Sequence, residues 1–155
     1  MAKLLSTGAL DVLYSLCGVS YSKMAGNAVV CNSASAAAIV AHLRFSSVVG
    51  SASLIYITGY SSYNNNTVVL YHFNTVFYGR TTIVTVLNAE ATIKTIRPLY
   101  YNAWWYEREL SEMFGVTFKN STDSRNLLLP YGNADQQLKK TVQGCDNTLF
   151  LRAAE

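Results

Sequence analysis

From Phe45 to Gly79 the chain carries no Asp, Glu, Lys or Arg. A stretch this long without charge must bury much of itself, and a membrane span is the first possibility to test. "GYSSYNNNT" at 59–67 interrupts it, and no apolar run reaches the ~18–20 residues that a helical span requires. The pattern is that of strands instead. "SLIYIT" (53–58) and "TVVLYHFNTVF" (67–77) are rich in β-branched and aromatic residues, which pack well on a pleated surface, and "TTIVTVLN" (81–88) repeats the theme. Asn64–Asn66 supplies residues that tolerate turn dihedrals, and "YGR" (78–80) makes the second turn. Two short turns joining three strands predict an antiparallel meander.

The flanks read as helices and short strands. Leu4, Leu5, Leu13, Leu16 and Cys17 have loosely helical spacing closed by Gly18. "AVVC" (28–31) is a short apolar strand. Asn32 or Ser33 then caps an Ala-rich helix to about Arg44, because small polar side chains accept the orphan amide bonds of a first turn. "AEATIKTIR" (89–97) is predicted as a helix capped by Asn88, with Ile93 and Ile96 inward and Pro98 as its stop. Asn102 is predicted to cap a further helix that ends at Gly115, a natural left-handed terminus. "VTFK" (116–119) adds a short strand, and the Ser, Asn, Gly, Gln and Pro130 beyond it predict an irregular tail. Helices on both sides of a meander give an α+β fold: a two-layer domain with a mostly antiparallel mixed sheet packed on helices. The expected organisation is an N-terminal helix and linker (1–26), the α+β domain (27–120) and an extended tail (121–155).

Charged residues make up 14% of the chain, against about 25% in soluble domains. A surface so weakly charged keeps copies apart poorly, which points to a protein whose surface is shielded by partners. The net charge of +3 comes with scattered Lys and Arg rather than a basic stripe, so nucleic acid is not indicated. Cys17, Cys31 and Cys145 are far apart and odd in number, which argues against a disulfide framework, a zinc ribbon or a ferredoxin pattern. His42 and His72 have no ligand-type neighbours at metal spacing. The N-terminus resembles neither a transit peptide nor a cleavable signal.

Against this background "NAWWYERELSEMFG" (102–115) concentrates four charges in six positions, Glu107, Arg108, Glu109 and Glu112, directly after Trp104 and Trp105. At 100° per residue, Ala103, Tyr106, Leu110, Met113 and Phe114 share the sector that must face the core. Trp105, Glu109 and Glu112 share a second sector, and Trp104, Arg108 and Ser111 a third. Two tryptophans off the apolar stripe beside charges predict an interface, where Trp and Arg are preferred anchors. Glu109 and Glu112 lie at i and i+3 and share a face. General acid/base work needs a shifted carboxyl beside a pocket, and no nucleophile or metal ligand accompanies them. Solvated or ion-paired glutamates are the default reading. No phosphate-binding, zinc-protease or nucleophile-elbow motif occurs, so no catalytic, cofactor or metal residue is assigned. In "TDSRNLLLPYG" (122–132), Asp123 and Arg125 lead into Leu127–Leu129, either as a strap on a neighbour or as a loop tucked onto its own domain.

"NAWWYERELSEMFGVTF" resembles the signature of the 30 kDa subunit family of respiratory complex I (NuoC, or NADH dehydrogenase subunit 9). Trp105, Glu107, Arg108, Glu109, Met113, Phe114, Gly115 and Phe118 fit that signature, and Glu112 stands where Asp is usual. The likeness extends over about residues 27–120. Downstream, Asp123 and Arg125 remain of one family motif, and Tyr131, Gly132, Leu138, Lys139 and Lys140 of another. The resemblance implies an α+β subunit of the peripheral arm that holds no flavin or cluster itself, while the complex carries FMN, iron–sulfur clusters and ubiquinone. It implies the 49 kDa and PSST-type subunits as neighbours, on the matrix side of the mitochondrial inner membrane, and no catalytic residue in this chain. The partner-facing residues are expected to be Trp104, Trp105, Glu107, Arg108, Glu109, Glu112, Asp123, Arg125, Lys139 and Lys140. The low charge, the reduced tail and the N-terminus point to an organelle-encoded member. The competing reading is a small RNA-binding α+β protein such as an organellar ribosomal subunit.

Overall fold

The computed structural model describes residues 28–45, 52–62, 66–76, 79–87, 90–123, 125–130 and 136–139. The predicted helix over residues 4–17 lies outside these, as does most of the predicted tail. β1 (Ala28–Asn32) leads into α1 (Ser33–Phe45), followed by β2 (Ser53–Ser61), β3 (Thr67–Thr75) and β4 (Gly79–Leu87). Their order in the sheet is β1-β4-β3-β2. The three charge-poor strands form the expected antiparallel meander; β1 pairs with β4 in parallel, and α1 carries the chain from β1 across to β2 at the other edge. The result is the α+β, mostly antiparallel mixed sheet read from the sequence.

Alternation decides which side of the sheet is dry. Along β3, Val69, Tyr71 and Phe73 are buried, while Leu70 and His72 are half-buried and Asn74 is exposed. The inner face meets Ala36, Ile39, Val40 and Leu43 of α1 and Leu110 and Phe114 of a second helix, α2 (Ala103–Phe114), all in one core. On the outer face Tyr56 stacks on His72, with ring centroids 4.3 Å apart, and His72 Nδ1 lies 3.0 Å from the Thr82 hydroxyl. Cys31 is a buried thiol whose Sγ lies 3.3 Å from Thr85 Oγ1. Burial pushes its pKa up, against the pull of that hydrogen bond.

Two local expectations fail. "AEATIKTIR" is not helical: β5 (Thr92–Lys94) pairs in parallel with β6 (Thr117–Lys119) as a separate two-stranded sheet. Thr92, Ile93, Thr95 and Ile96 are β-branched and stiff in a helix, and Ala91 has a positive φ of 44° just before the strand. Ile93 and Phe118, in register, point into the core. Both isoleucines are inward as expected, but through a period of two at Ile93. The second failure is the cap. Asn102 makes no side-chain bond to the start of α2; its Nδ2 donates to the Leu54 carbonyl instead, at 3.0 Å. The far end of α2 behaves as expected, with Gly115 left-handed at φ 68° and its N–H bonded to Ser111 O.

α2 crosses β2 at Gly59, where a Cβ would stand 2.9 Å from Leu110 Cδ2 and 3.3 Å from the Val68 carbonyl oxygen. Replacement of Gly59 by Val is therefore expected to lift the helix off the strand. Overpacking of this kind costs about 1–3 kcal/mol, to be measured by denaturant unfolding.

Candidate interface helix and its strap

α2 is seated on the start of β2 by three side chains. Tyr100 Oη donates to the Ala52 carbonyl (2.9 Å), Asn102 Nδ2 to Leu54, and Tyr106 Oη to Ile55 (3.2 Å). The register of β2 shifts between Leu54 and Tyr56. A bulge leaves backbone groups out of the ladder, and here they take donors from Tyr106 of the helix and from the residues that lead into it.

The core stripe of α2 is wider than the wheel assigned. Ala103, Leu110 and Phe114 are buried, and Tyr106 and Met113 pack against the core as expected. The correction is Glu107, which was expected to face a partner and is only 3% exposed. Its Oε1 accepts from the Ile96 N–H at 2.8 Å and its Oε2 from the Thr95 hydroxyl. Desolvation raises its pKa, opposed by the two hydrogen bonds and the charge of Arg97. Thr95, at the end of β5, also accepts from the Arg97 N–H. One carboxylate thus fixes the turn between β5 and α2. The sequence held a signal for it: Glu107 lies four positions from Ala103 and three from Leu110, on their face.

The other charges divide in two. Arg108 Nε donates to the Arg125 carbonyl (3.0 Å) and its guanidinium again to that of Asn126 (2.9 Å). Glu112 accepts three consecutive backbone N–H groups, from Leu127 (3.1 Å), Leu128 (3.0 Å) and Leu129 (2.6 Å). Partial desolvation pulls the Glu112 carboxyl up, but the three amides, with Arg108 nearby, together outweigh it and hold its pKa below the ordinary range. Of the two readings of residues 122–132, the described part follows the second: it is tucked onto its own domain. Asp123 Oδ1 accepts from Arg125 N and Nε, and Oδ2 lies 2.8 Å from a guanidinium nitrogen of Arg125. That clasp holds the Asp123 carboxyl far below its usual range. Glu109 stays exposed. An acid that must exchange protons near neutrality needs a raised pKa, so the depressed Glu112 is unsuited to that role.

Trp105 is 48% exposed, and its ring lies 4.7 Å from that of Trp104. Trp104 stands between two guanidiniums, with the Arg97 and Arg108 carbons each 5.3 Å from its ring. Its buried Nε1 finds no acceptor among the described residues. Lys139 is half-buried in a turn that docks where α2 ends, through Leu138 N to Met113 O at 3.1 Å. Lys140 lies outside the described residues. The structure thus brings Trp104, Trp105, Arg108, Glu112, Asp123 and Arg125 together around one helix, with Glu107 beneath them. Among the described residues no group of His, Cys, Asp and Glu is arranged to hold a metal, and no helix is long and apolar enough to cross a membrane.

The family model described as "Respiratory-chain NADH dehydrogenase, 30 Kd subunit" matches residues 1–147. The chain belongs to this family. It is 37% identical over 84 residues to NADH-ubiquinone oxidoreductase subunit 9 of Paramecium primaurelia, covering 54% of this chain and 40% of that protein. It is 38% identical over 72 residues to NADH-ubiquinone oxidoreductase subunit 9 of Prototheca wickerhamii, covering 46% and 38%. The matched segment thus spans less than half the length of these relatives. In fold it resembles a trypsin-resistant fragment of Nqo5, with a TM-score of 0.61 and 17% identity over 77% of this chain and 98% of that one. A chain of the membrane-bound sulfane sulfur reductase, an archaeal respiratory membrane complex, shares the fold at a TM-score of 0.55 and 19% identity, over 75% of this chain and 71% of that one.

Two carboxylates of α2 give opposite pH responses. Glu112 has a depressed folded pKa, so its contribution is complete above the ordinary glutamate range and is lost as pH falls through the folded value. Amide-exchange protection factors of Leu127–Leu129 are expected to drop severalfold on acidification, and Glu112→Gln should give that loss already at neutral pH. Glu107 has a raised folded pKa, so its burial favours the protonated form and stability declines as pH rises from the unfolded value through the folded one. Unfolding curves of Glu107→Gln should lack that decline.

Proposed function

We propose that this chain is a non-catalytic structural subunit of the peripheral arm of NADH:ubiquinone oxidoreductase. It braces the subunits that carry the clusters and the quinone site while electrons pass from NADH to ubiquinone in a proton-pumping complex. FMN, iron–sulfur clusters and ubiquinone belong to its neighbours, chief among them the 49 kDa and PSST-type subunits. Its place is the matrix side of the mitochondrial inner membrane, as an organelle-encoded component. Family membership supports this reading, and so do the names of its relatives, which are components of NADH-ubiquinone oxidoreductases.

One structural observation carries the role. α2 is fixed to the domain at its start, beneath its middle and along one flank, yet it leaves Trp105 half exposed with Glu109 beside the same face. A large aromatic side chain on an immobilised helix gives a partner contact area at small entropic cost. Arg108, also expected to face a partner, holds the chain's own strap; its interface contribution is to support the surface.

Trp105→Ala tests this. The isolated chain should unfold as before, since the ring is exposed. Its incorporation into the NADH-oxidising assembly, read on native gels, should fall. Loss of an interface anchor costs ~2 kcal/mol or more, which corresponds to roughly thirtyfold in affinity. Full abundance of the assembly with abolished quinone reduction would contradict the structural role.

A further inference from the structure

Arg44 and Arg97 line one groove beside the start of the strap, and the exposed Lys94 and Lys119 immediately precede two of its other lining residues in sequence. β5 and β6 pair with Lys94 directly opposite Lys119, both exposed, while their neighbours Ile93 and Phe118 are buried. Like charges set opposite each other in a ladder oppose folding. Thr95 and Asn120, the residues that follow these lysines, line an open groove of about 650 Å³ that also includes Arg44, Arg97 and Tyr101. None of its lining residues is acidic. Among the described residues the one ion pair is Arg125–Asp123, so these four cations have no carboxylate at ion-pair distance. Arg44 instead lies over the Tyr100 ring, at 5.0 Å. Arg97 lies over Tyr101 and Trp104 and donates to the Thr122 hydroxyl at 2.8 Å. The buried Glu107 feels the charge of Arg97, but both of its oxygens are taken by Thr95 and Ile96.

We propose that this groove, walled by Arg44, Arg97 and Tyr101 and flanked in sequence by Lys94 and Lys119, is the docking site of an acidic segment of a neighbouring protein subunit. Charge complementarity identifies the occupant. Two of the chain's twelve Lys and Arg residues line the groove and two more adjoin its lining residues in sequence, in a protein of net charge only +3. A segment bearing Asp or Glu relieves the lysine repulsion and supplies acceptors to both guanidiniums. Exposed Tyr101, at 69%, and Arg97 stacked upon it are the residue types that anchor protein interfaces. A nucleic-acid backbone or an anionic membrane recruits larger basic patches, about 4–8 Lys and Arg at a membrane, than the two guanidiniums that line this groove. The proposal deepens the structural-subunit reading and rests on it.

The test is zero-length carbodiimide coupling of the purified assembly, which joins a lysine amine to a carboxylate in contact with it. Mass spectrometry should find Lys94 or Lys119 joined to an Asp or Glu of another polypeptide. Arg97→Glu should lower that yield at least tenfold and weaken retention of the chain in rising salt, while Arg97→Lys retains both. The proposal is overturned if both lysines couple only within this chain or stay open to acetylation in the assembly. It is equally overturned if Arg97→Glu instead abolishes binding of the full chain to phosphatidylserine vesicles or to ribosomal RNA and leaves the coupling intact. If the chain is absent from the assembly altogether, the subunit reading itself fails, a distinct result.

Discussion

The seating of α2 on the bulged start of β2 is the constraint on which the remaining surface depends. Three side chains, Tyr100, Asn102 and Tyr106, donate to the carbonyls of Ala52, Leu54 and Ile55. β2 is the last strand of its sheet, and an edge strand offers unpaired backbone groups to any passing strand. Here the protein spends them on its own helix. The close approach at Gly59 then brings Leu110 and Phe114 onto the sheet, and the position of every charge on α2 follows from that docking.

Three glutamates within six residues of one helix acquire three different physical characters. Glu107 is stripped of water and bonded to a hydroxyl and an amide, so its charge is disfavoured. Glu112, five residues on, meets three consecutive amides of a bent segment and its charge is favoured. Glu109 meets solvent. Sequence proximity makes them look like one acidic cluster, whereas the geometry separates a turn-fixing group, a strap-fixing group and a surface group. What a carboxylate does is set by the donors it finds.

Much of the fold was legible because its signals are local or periodic. The meander follows from β-branched runs and two turns, α1 from an Ala-rich run that follows small polar residues, and the end of α2 from one glycine. Residues 92–94 were misread because the decision lies elsewhere: their ladder partner, Thr117–Lys119, is more than twenty residues away. Asn102 was misread as a cap because its actual acceptor, Leu54 O, belongs to a distant strand. The α2 site was legible as a concentration of aromatic and charged residues, but not as a division of labour. A helical wheel places directions, and it cannot say that Arg108 and Glu112 will meet residues 125–129 or that Glu107 will meet Thr95.

The low charge content and the use made of those charges are linked. A chain with few ionic groups keeps them where an uncharged residue would not serve. Arg108 and Glu112 are such a case, since carboxylate and guanidinium bonds to backbone are stronger than neutral ones and hold a segment with no regular ladder of its own. The same economy makes Lys94 and Lys119 hard to explain within the chain. On a two-stranded sheet with three residues per strand, a like-charge pair opposes a ladder held chiefly by the burial of Ile93 and Phe118. Among the described residues no carboxylate lies at ion-pair distance from either lysine. A compensating charge from outside would offset that cost, and the indole Nε1 of Trp104, between Arg97 and Arg108, likewise has no acceptor among the described residues.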